Sequence, residues 1–364
     1  MSPVLDTLLL IGTHSIHTHR FLAGIAPHCR QVVLISNGEP GPEWCPPNLC
    51  EVVQVDFGLR AWRTARRIRQ VIAQYQPQLV HVHQANSVAW HARRALKGSA
   101  LPMVLSCWGS DVLLLPKRSP LHHWMVRGNL RAARLLTADS QVLLQQAQKV
   151  AGQTVAGQWL LFGLPELPSP PLDLASRPKR MLSCRLHKPL YRVDAILRAV
   201  AVLQQHGHWQ DWQLEVAASG PDTPALQALA RELGLGGSVL FTGFMPHAEL
   251  LQAYARSRLF VSVPESDSTP VSLLEAMAYG CLPVLSDLPA NREWVEDGQQ
   301  GFLCRDVKQL TDDLWRAMQW CEQQPERWQQ QMLANHQRIR ETAWFPQNMA
   351  QCAALYQRIL EGRA

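Results

Sequence analysis

The sequence has no uninterrupted apolar run near the ~20 residues that cross a bilayer. It has no CxxC pair among its nine cysteines and no long basic stripe with interleaved aromatics. Each lack removes a class. The first excludes a spanning helix. The odd, scattered cysteines read as reduced thiols in a cytosol, and Cys45 with Cys50 make no more than a marginal metal pair. The third, with no recognised nucleic-acid motif, argues against a nucleic-acid partner. No convincing metal-binding DxD is present, since Asp312 and Asp313 fall in a helical pattern, so neither a metal nor a cofactor is expected. The opening MSPVLDTLLLIG has no basic n-region and enters a strand too early for a secretion signal, which makes the expected location cytoplasmic.

What is present is a globular composition of 364 residues, 47% hydrophobic and 18% charged, enough for two domains with separate cores. The formal charge of +6 favours acidic partners: nucleotide phosphates or anionic lipid. Strand-like runs at 7–11, 31–36, 50–55, 79–83, 102–106, 135–138 and 158–162 alternate with helical patterns, the signature of a mainly parallel sheet covered on both faces. A Pro-rich break, GLPELPSPPLDLASRPKR at 163–180, reads as a linker. The pattern then restarts with runs at 181–184, 212–217, 238–242, 259–263 and 282–286. The expectation is an α/β chain of two Rossmann-like, doubly wound domains, 1–165 and 166–343. The last helix, 344–364, is expected to return to the first domain, and ligands to bind in a cleft at the carboxyl ends of the strands. Trp315, Trp320 and Trp328 are the expected packing residues of a helical tail.

The second half is organised around 263–280, VPESDSTPVSLLEAMAYG. An apolar strand passes through a polar loop into a helix, with Thr269 as expected N-cap, Pro270 in the first turn and Gly280 as the stop. Asp267 and Glu275 stand on the loop and on the helix with seven residues between them. Free N–H groups near Pro270, Val271 and Ser272, at the positive end of the helix dipole, suit an anion such as phosphate. A phosphate beside carboxylates suits a ligand anionic at one end and hydroxyl-rich at the other, such as a nucleotide sugar. An ordinary strand-helix unit with solvated acids explains this stretch equally well.

The segment LFVSVPESDSTPVSLLEAMAYGCLPVLSDLPANREWVEDGQQGFL resembles the donor-site signature of glycosyltransferase family 4, retaining enzymes of the GT-B fold. LEVAASGPDTPALQALARELGLGGSVLFTGFMPHAELLQAYARSRLF resembles the segment before it, and SIHTHRFLAGI, PQLVHVHQ and CWGSDVLLL resemble the acceptor-side domain more loosely. The family pattern places Glu where this chain has Asp267. The resemblance implies that Asp267, Ser268, Thr269 and the loop amides hold the donor sugar and that Glu275 accepts from the ribose hydroxyls. It also implies an Arg and a Lys on the diphosphate. In SCRLHKPLYRVD, Arg185 fits the first role; Lys188 is chosen for the second with Arg192 close behind, because Tyr191 falls at the usual Lys distance from Asp194. A departing diphosphate gains charge and needs fixed cations and amides in any case.

The same resemblance places Gly220 and Pro221 where backbone approaches the nucleotide, and Gly243, Phe244 and Met245 against the base edge. In the first domain Gly12 would admit the acceptor or the donor phosphate, and His17 would point into the cleft, although a lone histidine near a helix start is more often structural. Trp108 stands where the family often has His, and Asp111 is the polar candidate beside it, or the cap of a turn. His81 and His83 share one strand face, where packing or cleft lining outweighs metal ligation for want of a third ligand.

Arg60, Arg63, Arg66, Arg67 and Arg69 crowd one basic segment with Trp62, Ile68 and Val71, and Lys117 to Arg134 forms another with Trp124, Met125 and Leu130. Such helices suit the peripheral face of an anionic membrane; a solvated helix face is the commoner explanation for either alone. The function these readings reach is sugar transfer from a nucleotide-diphosphate donor to a glycan or lipid-linked acceptor, with retention and no metal. The alternatives are a nucleotide-sugar epimerase or hydrolase, and a nucleotide-sugar-binding subunit without catalysis.

Overall fold

Thirteen strands, among residues 3–363 described by the computed structural model, fall into two all-parallel sheets. The chain divides into two units: one runs to Phe162 and takes back the stretch from Phe345, and the other is Gly163–Trp344. The first sheet comprises β1 (Leu5–Ile11), β2 (Cys29–Ser36), β3 (Leu49–Gln54), β4 (Leu79–His83), β5 (Met103–Cys107), β6 (Leu135–Ala138) and β7 (Gly157–Trp159), in the order β3-β2-β1-β4-β5-β6-β7. The second comprises β8 (Arg180–Ser183), β9 (Gln213–Ala217), β10 (Val239–Gly243), β11 (Leu259–Ser262), β12 (Leu282–Ser286) and β13 (Phe302–Cys304), ordered β10-β9-β8-β11-β12-β13. Both are Rossmann-like sheets covered by helices, as expected. The order reverses between β1 and β4 in one sheet and between β8 and β11 in the other, and open α/β sheets bind ligands at that reversal.

The central strands are buried on both faces, which is why they read as near-continuous apolar runs and not as alternating ones. Two residues of β4 break that rule. His81 and His83 are fully buried, their rings nearly perpendicular with centroids 5.0 Å apart. His81 Nδ1 meets the Tyr356 hydroxyl at 2.5 Å and its Nε2 meets Ser106 Oγ at 2.7 Å, which in turn meets Thr137 Oγ1 at 2.6 Å. Tyr356 belongs to the final helix, Phe345–Leu360, whose Met349, Cys352 and Ala353 share a core with Leu8, Leu10 and Phe21.

The Pro-rich segment is not a free linker. Pro171 and Leu174 are tied to Gln329 of the helix Pro325–Thr342 by hydrogen bonds of 2.6 and 3.2 Å, and Leu174 is fully buried. Gly280, at φ +80°, leaves room for Pro171, whose Cβ lies 2.7 Å from where an added Cβ would stand. In the tail Trp320 and Trp328 are buried, whereas Trp315 stacks at 4.0 Å on His208.

Among the described residues no helix is long and apolar enough to cross a membrane. The two basic segments divide by face. Ile68, Val71, Met125 and Leu130 are core residues, and Trp62 and Trp124 are about three-fifths exposed. Arg67 pairs with Glu51, and Arg69 donates to the carbonyls of Arg94 and Ala95, so part of the first segment's charge holds the fold together.

Candidate functional site

The loop after β11 and the helix Val271–Ala278 carry Asp267, Ser272 and Glu275. The helix starts one residue later than the sequence suggests: Pro270 is its N-cap, without a side-chain cap bond. Thr269 is not the cap; its Oγ1 accepts from Trp294 Nε1 at 3.2 Å. A proline cannot donate and caps only through its backbone, so the amides of Val271 and Ser272 open the helix with no intrahelical acceptor. The loop is set against the preceding elements by the Glu265 amide, which donates to the Leu190 carbonyl at 2.9 Å.

Arg185, just beyond β8, reaches across the strand-order reversal into this loop. One guanidinium nitrogen donates to Asp267 Oδ2 at 2.7 Å and the other to Ser272 Oγ at 3.0 Å, while the Tyr191 ring lies 4.6 Å beneath the guanidinium carbon. Both side chains of the pair are mostly buried, 13% and 20% exposed. Burial works against the guanidinium's charge, but Asp267 and then Tyr191 more than offset it and hold Arg185 above its ordinary value. Burial pushes the Asp267 carboxyl up, with Arg185 opposing.

Ser272 and Glu275 are three residues apart on one helix face, so the element that Arg185 touches also carries Glu275. Glu275 is 5% exposed. Its Oε1 meets His247 Nε2 at 2.8 Å, a partner that sequence reasoning did not single out. His247 opens the helix His247–Arg256 shortly after Gly243, and a polar residue there was the available signal.

The remaining second-unit candidates are more scattered. Lys188 is exposed, and its carbonyl accepts from the Tyr191 amide at 3.0 Å. Arg192 caps the helix Val193–Gln205 in a left-handed conformation (φ +50°), and its buried Nε has no partner among the described residues. Gly220 is needed for a chain-to-chain approach: an added Cβ would stand 2.4 Å from the His187 carbonyl oxygen. His187, also missed from sequence, is 1% exposed and bonds Thr223 Oγ1 at 2.8 Å, which accepts from the Gly220 amide at 2.9 Å. Pro221 is exposed, Gly243 ends β10 at φ +70°, Phe244 is 80% exposed and Met245 is half-buried. Ser268 and Thr269 are buried, whereas Val271 and Ser272 are half-buried at the helix start.

In the first unit Gly12 follows β1 at the reversal, and the position a Cβ would take there is occupied by protein. An added Cβ would stand 2.8 Å from Thr18 Cγ2 and 3.4 Å from His83 Cβ, so the glycine admits the helix Ile16–Ile25. His17 is exposed with its ring edge-on to Trp108 at 5.5 Å, and Trp108 also packs on His83 and Phe162. Asp111 is 4% exposed; its two oxygens accept from the amides of Ala85 (2.7 Å) and Trp108 (3.0 Å), and burial raises its pKa against those bonds. It braces the turns after β4 and β5. Asn129, from the helix Pro120–Ala132, donates to the carbonyls of Ala85 and Asn86 and completes that brace.

Comparison with known proteins gives the two units separate matches. Residues 7–140 match a family described as glycosyl transferase 4-like, and residues 177–319 match glycosyl transferases group 1. An uncharacterized glycosyltransferase of Haemophilus influenzae is 28% identical over 174 residues, 46% of this chain and 48% of that one. The N-acetyl-alpha-D-glucosaminyl L-malate synthase of Bacillus anthracis is 22% identical over 252 residues, 66% of this chain and 64% of that one. The matches thus span from about half to just under two thirds of these relatives' length. Among solved structures, Anabaena HepE in complex with UDP superposes with a TM-score of 0.77 at 16% identity, over 96% of this chain and 99% of that one. At that identity the likeness shows the GT-B fold.

Proposed function

From a chain that carries a glycosyl transferase 4-like domain and a glycosyl transferases group 1 domain on the two sheets of a GT-B fold, we propose a retaining glycosyltransferase. It moves a sugar from a nucleotide-diphosphate donor to a hydroxyl of a glycan or lipid-linked acceptor in the synthesis of a cell-surface polysaccharide or glycoconjugate. The observation that carries this reading is the convergence of Arg185, Asp267 and Ser272 at a helix start, with Glu275 one turn deeper.

In the reaction the bond from the anomeric carbon to the diphosphate breaks and a bond to the acceptor oxygen forms on the same face. The acceptor's proton passes to the departing phosphate oxygen, so no enzymic nucleophile is required. The charge that develops on the diphosphate meets the Arg185 guanidinium and the amides of Val271 and Ser272, donors fixed before the reaction begins. These groups support a metal-independent mechanism. Lys188 and Arg192 are the further candidate cations, and Asp267 takes a hydroxyl of the transferred sugar. The Gly220–Pro221 turn and the 243–245 backbone line the nucleotide, with His17, Trp108 and Asp111 on the acceptor side. The exposed aromatics and arginines of the first unit support peripheral contact with an anionic membrane at its cytoplasmic face.

A thermal-shift screen across nucleoside diphosphates and their sugars tests the donor reading. A cognate ligand at a hundred times its dissociation constant stabilises by about 2.7 kcal/mol. The anomeric configuration of the transferred sugar by NMR tests retention, and transfer measured in a chelator tests metal independence. If no nucleoside diphosphate shifted the melting temperature, the reading would be lost.

A further inference from the structure

The helix Val271–Ala278 begins one residue later than its local sequence favours. Threonine is a preferred N-cap and proline a preferred first residue, so Thr269 and Pro270 favour a start in which the Thr269 hydroxyl accepts from the amide of Val271 or Ser272. In the structure Pro270 stays extended at ψ 136° and is itself the cap. Its φ of −75° suits either start, so ψ alone separates the two. The amides of Val271 and Ser272 accordingly form no hydrogen bond among the described residues.

What holds the later start lies on the other side of the loop. Trp294 and Thr269 are both buried, and the indole N–H donates to Thr269 Oγ1 at 3.2 Å. Trp294 is not free to follow the loop. Arg338, from the helix Pro325–Thr342, lies over its ring at 4.8 Å and donates to the carbonyls of Glu293 and Trp294. Asn291 donates to the Ser286 carbonyl at 2.8 Å, and Ser286 Oγ to the Pro264 carbonyl at 2.6 Å, which ties the start of the loop to the same segment. If the Thr269 hydroxyl turned to the helix it would strand a buried indole donor, and that loss is at least as large as the gain from a cap bond. A local preference overridden in this way is expected where function requires it.

We propose that Trp294 is a positioning residue for the donor diphosphate: by engaging the Thr269 hydroxyl it keeps the amides of Val271 and Ser272 open to phosphate oxygens. The proposal rests on the donor reading above and adds to it a buried residue that acts through Thr269.

The test uses the full chain as wild type, Trp294→Phe, and Trp294→Phe combined with Thr269→Val. Phenylalanine keeps an aromatic ring without the donor, and valine keeps the shape of threonine without the hydroxyl. Trp294→Met, also without a donor, takes the place of Trp294→Phe if that variant does not melt cooperatively. In the single variant the freed hydroxyl caps the helix, so amide exchange at Val271 and Ser272, followed by NMR without ligand, should slow by about fivefold or more. UDP must then displace the cap, and its affinity by calorimetry should fall by about the same factor, while uridine binds both proteins alike. The double variant has no hydroxyl to compete for the amides and should recover UDP affinity to within about twofold of wild type. A double variant as weak as the single one would mean that the indole only packs against the loop, and the proposal would be overturned. It would be overturned equally if Val271 and Ser272 exchanged as fast in Trp294→Phe as in the wild type. If UDP bound none of the proteins the donor reading would fail, and the exchange rates would still decide whether Trp294 holds the amides open.

Discussion

Arg185 and Asp267 form a 2.7 Å ion pair across the point where the strand order of the second sheet reverses. The pair places a carboxylate in competition with any diphosphate for one guanidinium. Asp267→Asn should relieve that competition: affinity for a nucleoside diphosphate lacking the sugar should rise by about five- to tenfold, while the rate of sugar transfer falls. Calorimetry on the bare diphosphate checks the first half. Weaker binding would mean that Asp267 supports the diphosphate through the arginine's geometry and does not compete with it.

We propose that Glu275 accepts from the ribose hydroxyls; His247 holds one of its oxygens at 2.8 Å. A hydrogen bond from a neutral hydroxyl to a charged acceptor is worth about 1.5–3 kcal/mol net. The wild type should therefore bind a nucleoside diphosphate at least tenfold more tightly than its 2′,3′-dideoxy analogue. In Glu275→Gln the two should bind nearly alike. A preference that survived the substitution would move the ribose elsewhere.

Tyr356 joins the final helix to β4 through His81. Tyr356→Phe keeps the ring but leaves a buried imidazole nitrogen without its partner, at a cost of about 1–3 kcal/mol, read as a lower denaturation midpoint at unchanged slope. His81 also sets a pH dependence. Burial lowers its pKa from 6.5 to about 3, and His83 is lowered well below 6.5 by burial, with His81 and His17 adding to the effect. Between those values the unfolded chain binds protons that the folded chain refuses, so stability is full above pH 6.5 and is lost as pH falls towards 3. Each histidine contributes up to ~1.4 kcal/mol per pH unit in that window. Urea melts at pH 7, 6, 5 and 4 measure the slope, and a flat profile would contradict the buried neutral pair.

Gly280→Ala combines a left-handed backbone with a Cβ only 2.7 Å from that of Pro171. The backbone term alone is on the order of 1–3 kcal/mol. A clear drop in melting temperature with the transition still cooperative is the expected outcome. No change would mean that the 163–180 segment yields freely.

These sites differ in how far the sequence discloses them. The parallel sheets were legible because buried strands are apolar throughout and the helices between them are periodic. β13 was not, being three residues long between turn residues. Arg185 and Asp267 were legible one at a time, as polar residues at the carboxyl ends of β8 and β11. Their pairing depends on those strands being neighbours, which sequence order hides. The misplaced cap at Thr269 has a local cause: the Trp294 indole claims the hydroxyl that would otherwise turn to the helix. His81 with Tyr356, 275 positions apart, leaves no local trace at all. At Gly12 the close approach of the Thr18 side chain, 2.8 Å from where a Cβ would stand, likewise leaves no local trace.

The central claim, that Arg185 grips the donor's diphosphate, is tested most directly by titrating the nucleoside diphosphate of largest thermal shift into the wild type and Arg185→Ala. Losing a charge-assisted contact to phosphate should weaken binding by about ten- to a hundredfold. The corresponding nucleoside, which lacks phosphate, should bind the two proteins alike. Equal affinity of both proteins for the diphosphate would contradict the account.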